Sequence, residues 1–229
     1  MRSIWRTLDR DLARDIALVC VADMIVAVSY GAITVAAGLP VWLPMLMSVL
    51  VFAGAAQFMF VGIIAAGGNP IAAMITSLLV NTRHVPLGFA VADVLGTSWS
   101  RRILGSHLMT DEAVAFTLRQ TDPARRRATY WACGVSLAVC WNIGTLIGAF
   151  GGTLVSDTSV FGLDAAFPAV LLALVLPLLD DARTRRAAGA GVVVALATAP
   201  FLPPGVPVLL ALVGVVASLG GDRAAEVAS

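Results

Sequence analysis

The sequence predicts an all-α integral membrane protein with six to seven membrane helices, and three observations carry that expectation. Of 229 residues, 59% are hydrophobic and only 13% charged, well below the charged share that a water-facing surface needs. Mean hydropathy is +0.91. The apolar residues also fall in runs long enough for a bilayer core of roughly 30 Å, parted by clusters of Gly, Pro and charge. The net charge of +1, with no basic stripe interleaved with aromatics, gives no footing for a nucleic-acid partner. All 15 basic residues are arginine, so every positive anchor is permanently charged. Cys20, Cys133 and Cys140 lie in apolar segments without metal-ligand spacing and read as small buried hydrophobes.

Taken in order, residues 1–15 alternate Arg with Asp and place Ile4, Leu8 and Leu12 on one face, the pattern of an interfacial helix. A single transmembrane domain is then expected over 16–221, with a tail at 222–229. Its first span is Ile16–Ala37, ended by Gly38 and Pro40, and it carries Asp23 about a third of the way in. The second, Leu43–Ala66, is long enough to cross in one piece, with a small-residue face at Gly54–Ala56 before Gln57. After the Gly67–Pro70 turn, only ten apolar residues precede Asn81, Thr82, Arg83, His84 and Pro86. Ten residues make roughly 15 Å of helix, half a bilayer core, so 70–92 reads as a broken or re-entrant element.

Charge sets the topology. Arg101, Arg102, Arg119 and Arg125–Arg127 mark residues 94–122 as a cytoplasmic loop that runs on into the start of the next helix, and the Arg-rich N-terminus also belongs in the cytoplasm. Two crossings between them satisfy both placements if 70–92 dips in and returns. An external N-terminus with seven crossings is the alternative. Within the loop, Asp111 and Glu112 occupy the first turn of a short helix, where acids suit the dipole. Asp122 and Pro123 start a long helix that stops at Gly151–Gly152. Asp164 opens a further segment kinked by Pro168 and Pro177, and Ala187–Ala199 with Val206–Leu219 closes the chain as a hairpin. A weak internal echo links the stretch from Tyr30 to Phe58 with that from Gly144 to Phe167, as in transporters built from repeats.

No catalytic constellation, metal site, nucleotide-binding loop or cofactor motif is present in the sequence, so neither an enzyme nor an ATP-driven pump is expected. What remains is a polar seam of Asp23, Gln57, Asn81, Arg83, His84, Trp141, Asn142 and Asp164 through apolar segments. Polar groups at membrane depth persist mainly where they face protein or a wet cavity. A zwitterion needs acceptors for its ammonium and donors for its carboxylate. Asp23 or the carbonyls of the broken helix are candidates for the first; Gln57, Asn81 and Arg83 are candidates for the second, with Asn142 a further candidate for lining the site. His84, an imidazole able to take or give a proton, and Asp164 are candidate proton relays. The bland alternatives are a capping role for Asp164 and an anchoring cluster for Arg83–His84.

The motifs AGAAQF (53–58), VNTRH (80–84), MTDEAVAF (109–116), WNIGTLIGAFGG (141–152) and GLDAAFPA (162–169) resemble the AzlC family. The resemblance implies the large subunit of a bacterial branched-chain amino acid exporter in the cytoplasmic membrane. It also implies a small hydrophobic partner subunit, AzlD-like, for which the Gly54–Ala56 and Gly144–Gly152 faces are candidate docking surfaces. Two positions depart from the family: Ala55–Ala56 where a hydroxyl residue commonly precedes Gln-Phe, and Leu87 where Tyr is common. A channel or structural membrane scaffold is the rival function class.

Overall fold

The structure, a computed structural model, describes residues 8–153, 172, 176–202 and 206–214, and among these the regular structure is entirely helical. Two long apolar helices form its axis: α1 (Arg10–Ala36), with a mean hydropathy of 2.2, and α8 (Pro123–Thr153), with 1.6 over their most apolar windows. Their outer faces expose Val21, Ile25, Val139, Ile143 and Ile147, a surface suited to lipid. Asp9 caps α1 by accepting from the Leu12 amide at 2.9 Å, and its other oxygen pairs with Arg125 at the start of α8. Arg10–Asp15, expected in a separate interfacial helix, form the first turns of α1 itself.

The two helices run parallel along a seam with little room for side chains. A Cβ added at Gly144 would strike the Met24 carbonyl; at Gly148, the Val28 carbonyl; at Gly152, Ala32. In return, Gly31 of α1 lies on the backbone of Thr145 and Ala149. The four-residue spacing of Gly144, Gly148 and Gly152 keeps them on one face, and small residues let backbones approach where lipid supplies no hydrophobic drive. The Gly144–Gly152 stripe, expected as a surface for a partner subunit, is therefore occupied by α1. Gly54 is likewise taken, with the Trp141 ring 2.8 Å from where its Cβ would be.

Between these helices the chain makes two half-length excursions. In α2 (Trp42–Leu50) Ser48 meets Thr145 at 3.2 Å, and Met47 Sδ accepts from the Tyr30 hydroxyl at 3.6 Å. The next residues approach His107, with ring centroids of Phe52 and His107 6.1 Å apart, so α2 descends from the far end of the axis to its middle. There the helix breaks: Phe52 has φ 41°, and Ala53 leaves the helical region with φ −142° and ψ 89°. The chain then turns back, with Gly54 of α3 (Gly54–Ala65) on Trp141 and the Phe58 ring edge-on to Tyr30 at 5.4 Å. Leu43–Ala66 is thus a reversing pair of half-helices, not the single span expected. Nothing but Gly54 marks the break in the sequence, which is why an uninterrupted apolar run concealed it.

Asn69 caps α4 (Pro70–Asn81), which returns beside α3. Helix α5 (His84–Ala90) follows after Thr82–Arg83 and continues toward the near end, where Arg126 donates to the Ala90 carbonyl and pairs with Asp93 at 3.1 Å. The break at Asn81–His84 lies where expected, but the chain passes through it without reversing. Pro86 is tolerated in the first turn of α5, whose amides lack helical acceptors. The stretch 94–122, expected as a cytoplasmic loop, holds the second excursion: α6 (Trp99–His107) and α7 (Asp111–Leu118). It climbs past Tyr130, whose hydroxyl donates to Gly105 at 2.8 Å, to Leu108 on Gly134, and then returns. Helices α9 (Ala182–Thr198) and α10 (Val206–Leu210) form the C-terminal hairpin, close-packed where Gly191 meets Ala211. Asp164, Pro168 and the tail lie outside the described residues.

Two outcomes test this packing. Gly148→Ala drives a methyl into the Val28 backbone and should cost at least about 1–3 kcal/mol, while Gly151→Ala, which faces open space, should stay within about 0.5 kcal/mol; thermal unfolding in detergent compares them. The Arg126 guanidinium holds the Asp93 carboxyl below its usual range, so its contribution is present above the unfolded value of about 3.9 and is lost as pH falls through the depressed one. With Asp93 55% exposed, solvent screening limits the loss in Asp93→Asn at pH 7 to under about 1 kcal/mol, and acidification through the depressed value should erase the difference from the parent chain.

Candidate functional site

Both excursions end at the same depth, and the α4–α5 break meets them there. Their tips enclose a cavity of about 100 Å³ lined by Asp23 and Val26 of α1, Phe52–Ala55 and Phe58 of the first excursion, Arg83 and His84 at the break, Thr110–Glu112 of the second, and Trp141 of α8. That is many times the space one water needs. A non-glycine residue at positive φ is uncommon and clusters at functional sites; Phe52, 5% exposed, is such a residue on this wall.

Each polar wall has a local cause. Helix α7 is capped by Thr110, whose hydroxyl accepts from the Ala113 amide at 3.1 Å. Thr110 therefore does the capping that the first-turn acids were expected to do, and the carboxylates of Asp111 and Glu112 are left for the cavity. Asp111 pairs with Arg83 at 2.9 Å, both side chains a little over two-fifths exposed (42% and 43%). His84 Nδ1 sits 3.2 Å from the Asn81 carbonyl, which fixes the imidazole at the break. Helix α3, by contrast, has no side-chain cap, and the first helical bond at its start runs from the Gln57 amide to the Ala53 carbonyl at 2.9 Å. The amides of Gly54 and Ala55 precede that bond, at the cavity wall. Two half-helices of opposite direction thus aim their positive ends at one space.

Of the residues expected to form a site, the fold brings together Asp23, Arg83 and His84. Gln57, Asn81 and Asn142 are not among the cavity's lining residues. Gln57 is fully buried beside the Tyr30 hydroxyl, with neither amide atom hydrogen-bonded. Asn142 donates to the Ala138 carbonyl at 2.8 Å and leaves its oxygen buried and unpaired. The Asn81 side-chain oxygen is buried and unpaired at the end of α4. Asp164 lies outside the described residues. Asp111, Glu112 and the α3 amides are the lining groups that sequence reasoning missed. The Thr-Asp-Glu run was the available signal, since only one of the three residues is needed as a cap.

The Arg83–Asp111 pair provides a test of whether the arrangement is structural. A pair this exposed stabilises by less than about 1 kcal/mol, so Arg83→Gln and Asp111→Asn should each leave the unfolding transition nearly unchanged. A loss of several kcal/mol in either would mark the pair as a structural clamp.

Comparison with known proteins agrees with a membrane protein. The family described as AzlC protein matches residues 18–155, more than half of the chain. Inner membrane protein YgaZ of Escherichia coli (strain K12) is 31% identical over 132 residues, covering 56% of this chain and 51% of that protein. Branched-chain amino acid transport protein AzlC of Bacillus subtilis (strain 168) is 24% identical over 153 residues, covering 66% of this chain and 60% of that one. The matched stretch thus spans only about half to three-fifths of those two relatives. An uncharacterized membrane protein of Helicobacter pylori (strain ATCC 700392 / 26695) is 25% identical over 200 residues, 86% of each chain. No solved structure matches. With the matched region running from the middle of α1 through α8, the chain belongs to the AzlC family.

Proposed function

We propose that this chain is the transporting subunit of a secondary exporter that moves branched-chain or other hydrophobic amino acids out across the bacterial cytoplasmic membrane. One observation carries the reading: two opposed half-helix N-termini, one guanidinium and three carboxylates share a single cavity midway along the two apolar helices. The amides at the start of α3, with Arg83, suit the substrate carboxylate. Asp23 and Glu112 suit the ammonium, and Val26, Phe52, Phe58 and Trp141 suit an aliphatic side chain. The name of the Bacillus subtilis relative, a branched-chain amino acid transport protein, supports the substrate class.

The arginines support the orientation. Arg10, Arg14, Arg101, Arg102, Arg119 and Arg125–Arg127 lie at the near end of the axis, which the positive-inside rule places in the cytoplasm. In that frame α1, α4–α5 and α8 cross, and the excursions dip from opposite faces. Charge supports ion coupling. Asp23, Asp111 and Glu112 against Arg83 sum to −2, and two helix N-termini return roughly +0.5 each, leaving about −1. A zwitterion adds nothing to that balance, so one proton or monovalent cation completes it, and His84 on the same wall is placed to relay a proton. The small hydrophobic partner subunit docks on a surface other than the α1–α8 seam.

The measurement is exchange-stimulated uptake of labelled leucine by proteoliposomes holding the full chain, with and without the small subunit. Asp23→Asn should lower it at least about tenfold, a change of about 1.4 kcal/mol or more, with the protein still folded. Leucine flux that unlabelled leucine on the opposite side fails to stimulate would instead favour the channel, and no flux with either protein composition would favour the scaffold.

A further inference from the structure

A second cavity of about 370 Å³ lies between α1 and α7, nearer the N-terminal end of the axis. Its α1 wall is Asp15, Leu18 and Val19, and its α7 wall includes Glu112, Phe116 and Arg119. Asp15, Val19 and Asp23 are spaced four apart, on one face of α1, and Glu112, Phe116 and Arg119 share one face of α7. The two faces form a groove that runs inward from Asp15 and Arg119. Glu112 lines this cavity and the central one alike, and is the residue they have in common.

Like the central cavity, the groove combines a guanidinium, carboxylates and apolar side chains. The Arg119 guanidinium lies over the Phe116 ring at 5.7 Å and enters none of the ion pairs among the described residues. Asp15 and Glu112 provide acceptors, and Leu18, Val19 and Phe116 an apolar floor. A free carboxylate meets Arg119, a free ammonium meets the acids, and an aliphatic side chain meets the floor.

We infer that this groove is an outer binding site for hydrophobic amino acid zwitterions, from which substrate passes to the central cavity along the Glu112 carboxylate. The inference rests on the amino acid reading of the central cavity. In it, Glu112 holds the ammonium in both positions, so the substrate moves inward without giving up its counter-charge. Arg119 serves only the outer site.

Inside-out membrane vesicles carrying the full chain test it. Cys20, Cys133 and Cys140 are replaced by Ala, and Ala115→Cys, exposed in the groove, reports through an impermeant maleimide. Leucine at about ten times its dissociation constant should slow labelling about tenfold by occupancy, while leucine amide, which lacks the carboxylate, should not. Protection should persist in Arg83→Gln, be lost in Arg119→Ala and return at least in part in Arg119→Lys. Unprotected labelling in vesicles that bind leucine overturns the outer site alone. Protection that vanishes with Arg83→Gln also overturns it, because a single central site would then explain the data. Vesicles that bind no leucine overturn the central reading and the outer site with it.

Discussion

Everything between the first and eighth helices is constrained by their parallel contact. The glycine seam brings the backbones of α1 and α8 together with Met24 opposite Gly144 and Ala32 opposite Gly152, so both helices point the same way. The chain leaves α1 at the far end and must begin α8 at the near end, which requires one net traverse in between. Helices α4 and α5 make that traverse. The segments on either side of it must each return to the end they came from. Two reversing pairs of half-helices meet that requirement, each with its break in mid-depth.

Breaks at that depth are costly, because interrupted helices leave backbone groups without partners where lipid offers none. The fold gathers three of them, at Val51–Ala53, Thr82–Arg83 and Leu108–Thr110, so that they face one another and a shared polar cavity instead of lipid. The charged side chains follow from the same economy. Each one near mid-depth costs roughly 2.5–3.5 kcal/mol on insertion scales, and four of them around one partly open space can pair, or take up water, together. Phe52 shows the local expense: a bulky side chain held at φ 41° where the first excursion turns.

The membrane class, both axis helices and the α4–α5 break were legible because each leaves a local mark: long apolar runs, Asp122–Pro123 at a helix start, and the Asn-Thr-Arg-His-Pro interruption. The break at Val51–Ala53 left none, since Val, Phe and Ala are as apolar as the flanking residues and its cause is tertiary: Trp141, Tyr30 and His107 hold the turn in place. The second excursion left its helices unmarked for the opposite reason. Its arginines suit a cytoplasmic loop, and only its tip, from Leu108 to Glu112, reaches the middle of the axis. Glycine spacing was visible at Gly144, Gly148 and Gly152, but a stripe of small residues does not state whether its partner is another chain or another helix of the same one. Within the site, Asp23, Arg83 and His84 stood out as charge or imidazole in apolar surroundings. Asp111 and Glu112 did not, since acids in a first turn have an ordinary explanation until Thr110 is seen to satisfy it.

On the amino acid reading, the difference between the two half-helix ends gives the site a direction. Thr110 already offers its hydroxyl to the Ala113 amide of α7, and Asp111 and Glu112 sit on that same terminus, so most of its positive character is met from within. Helix α3 begins with Gly54-Ala55-Ala56 and has neither a side-chain cap nor an acid in its first turn, so its character is available to a ligand. An anion is therefore drawn toward the α3 end, and a cation toward Asp23 and Glu112. A zwitterion is oriented by that difference alone, carboxylate toward α3 and ammonium toward α1 and α7. Gly54 fits the same logic. A side chain there would meet the Trp141 ring, so the residue that opens the uncapped start of α3 also lets α3 pack on α8.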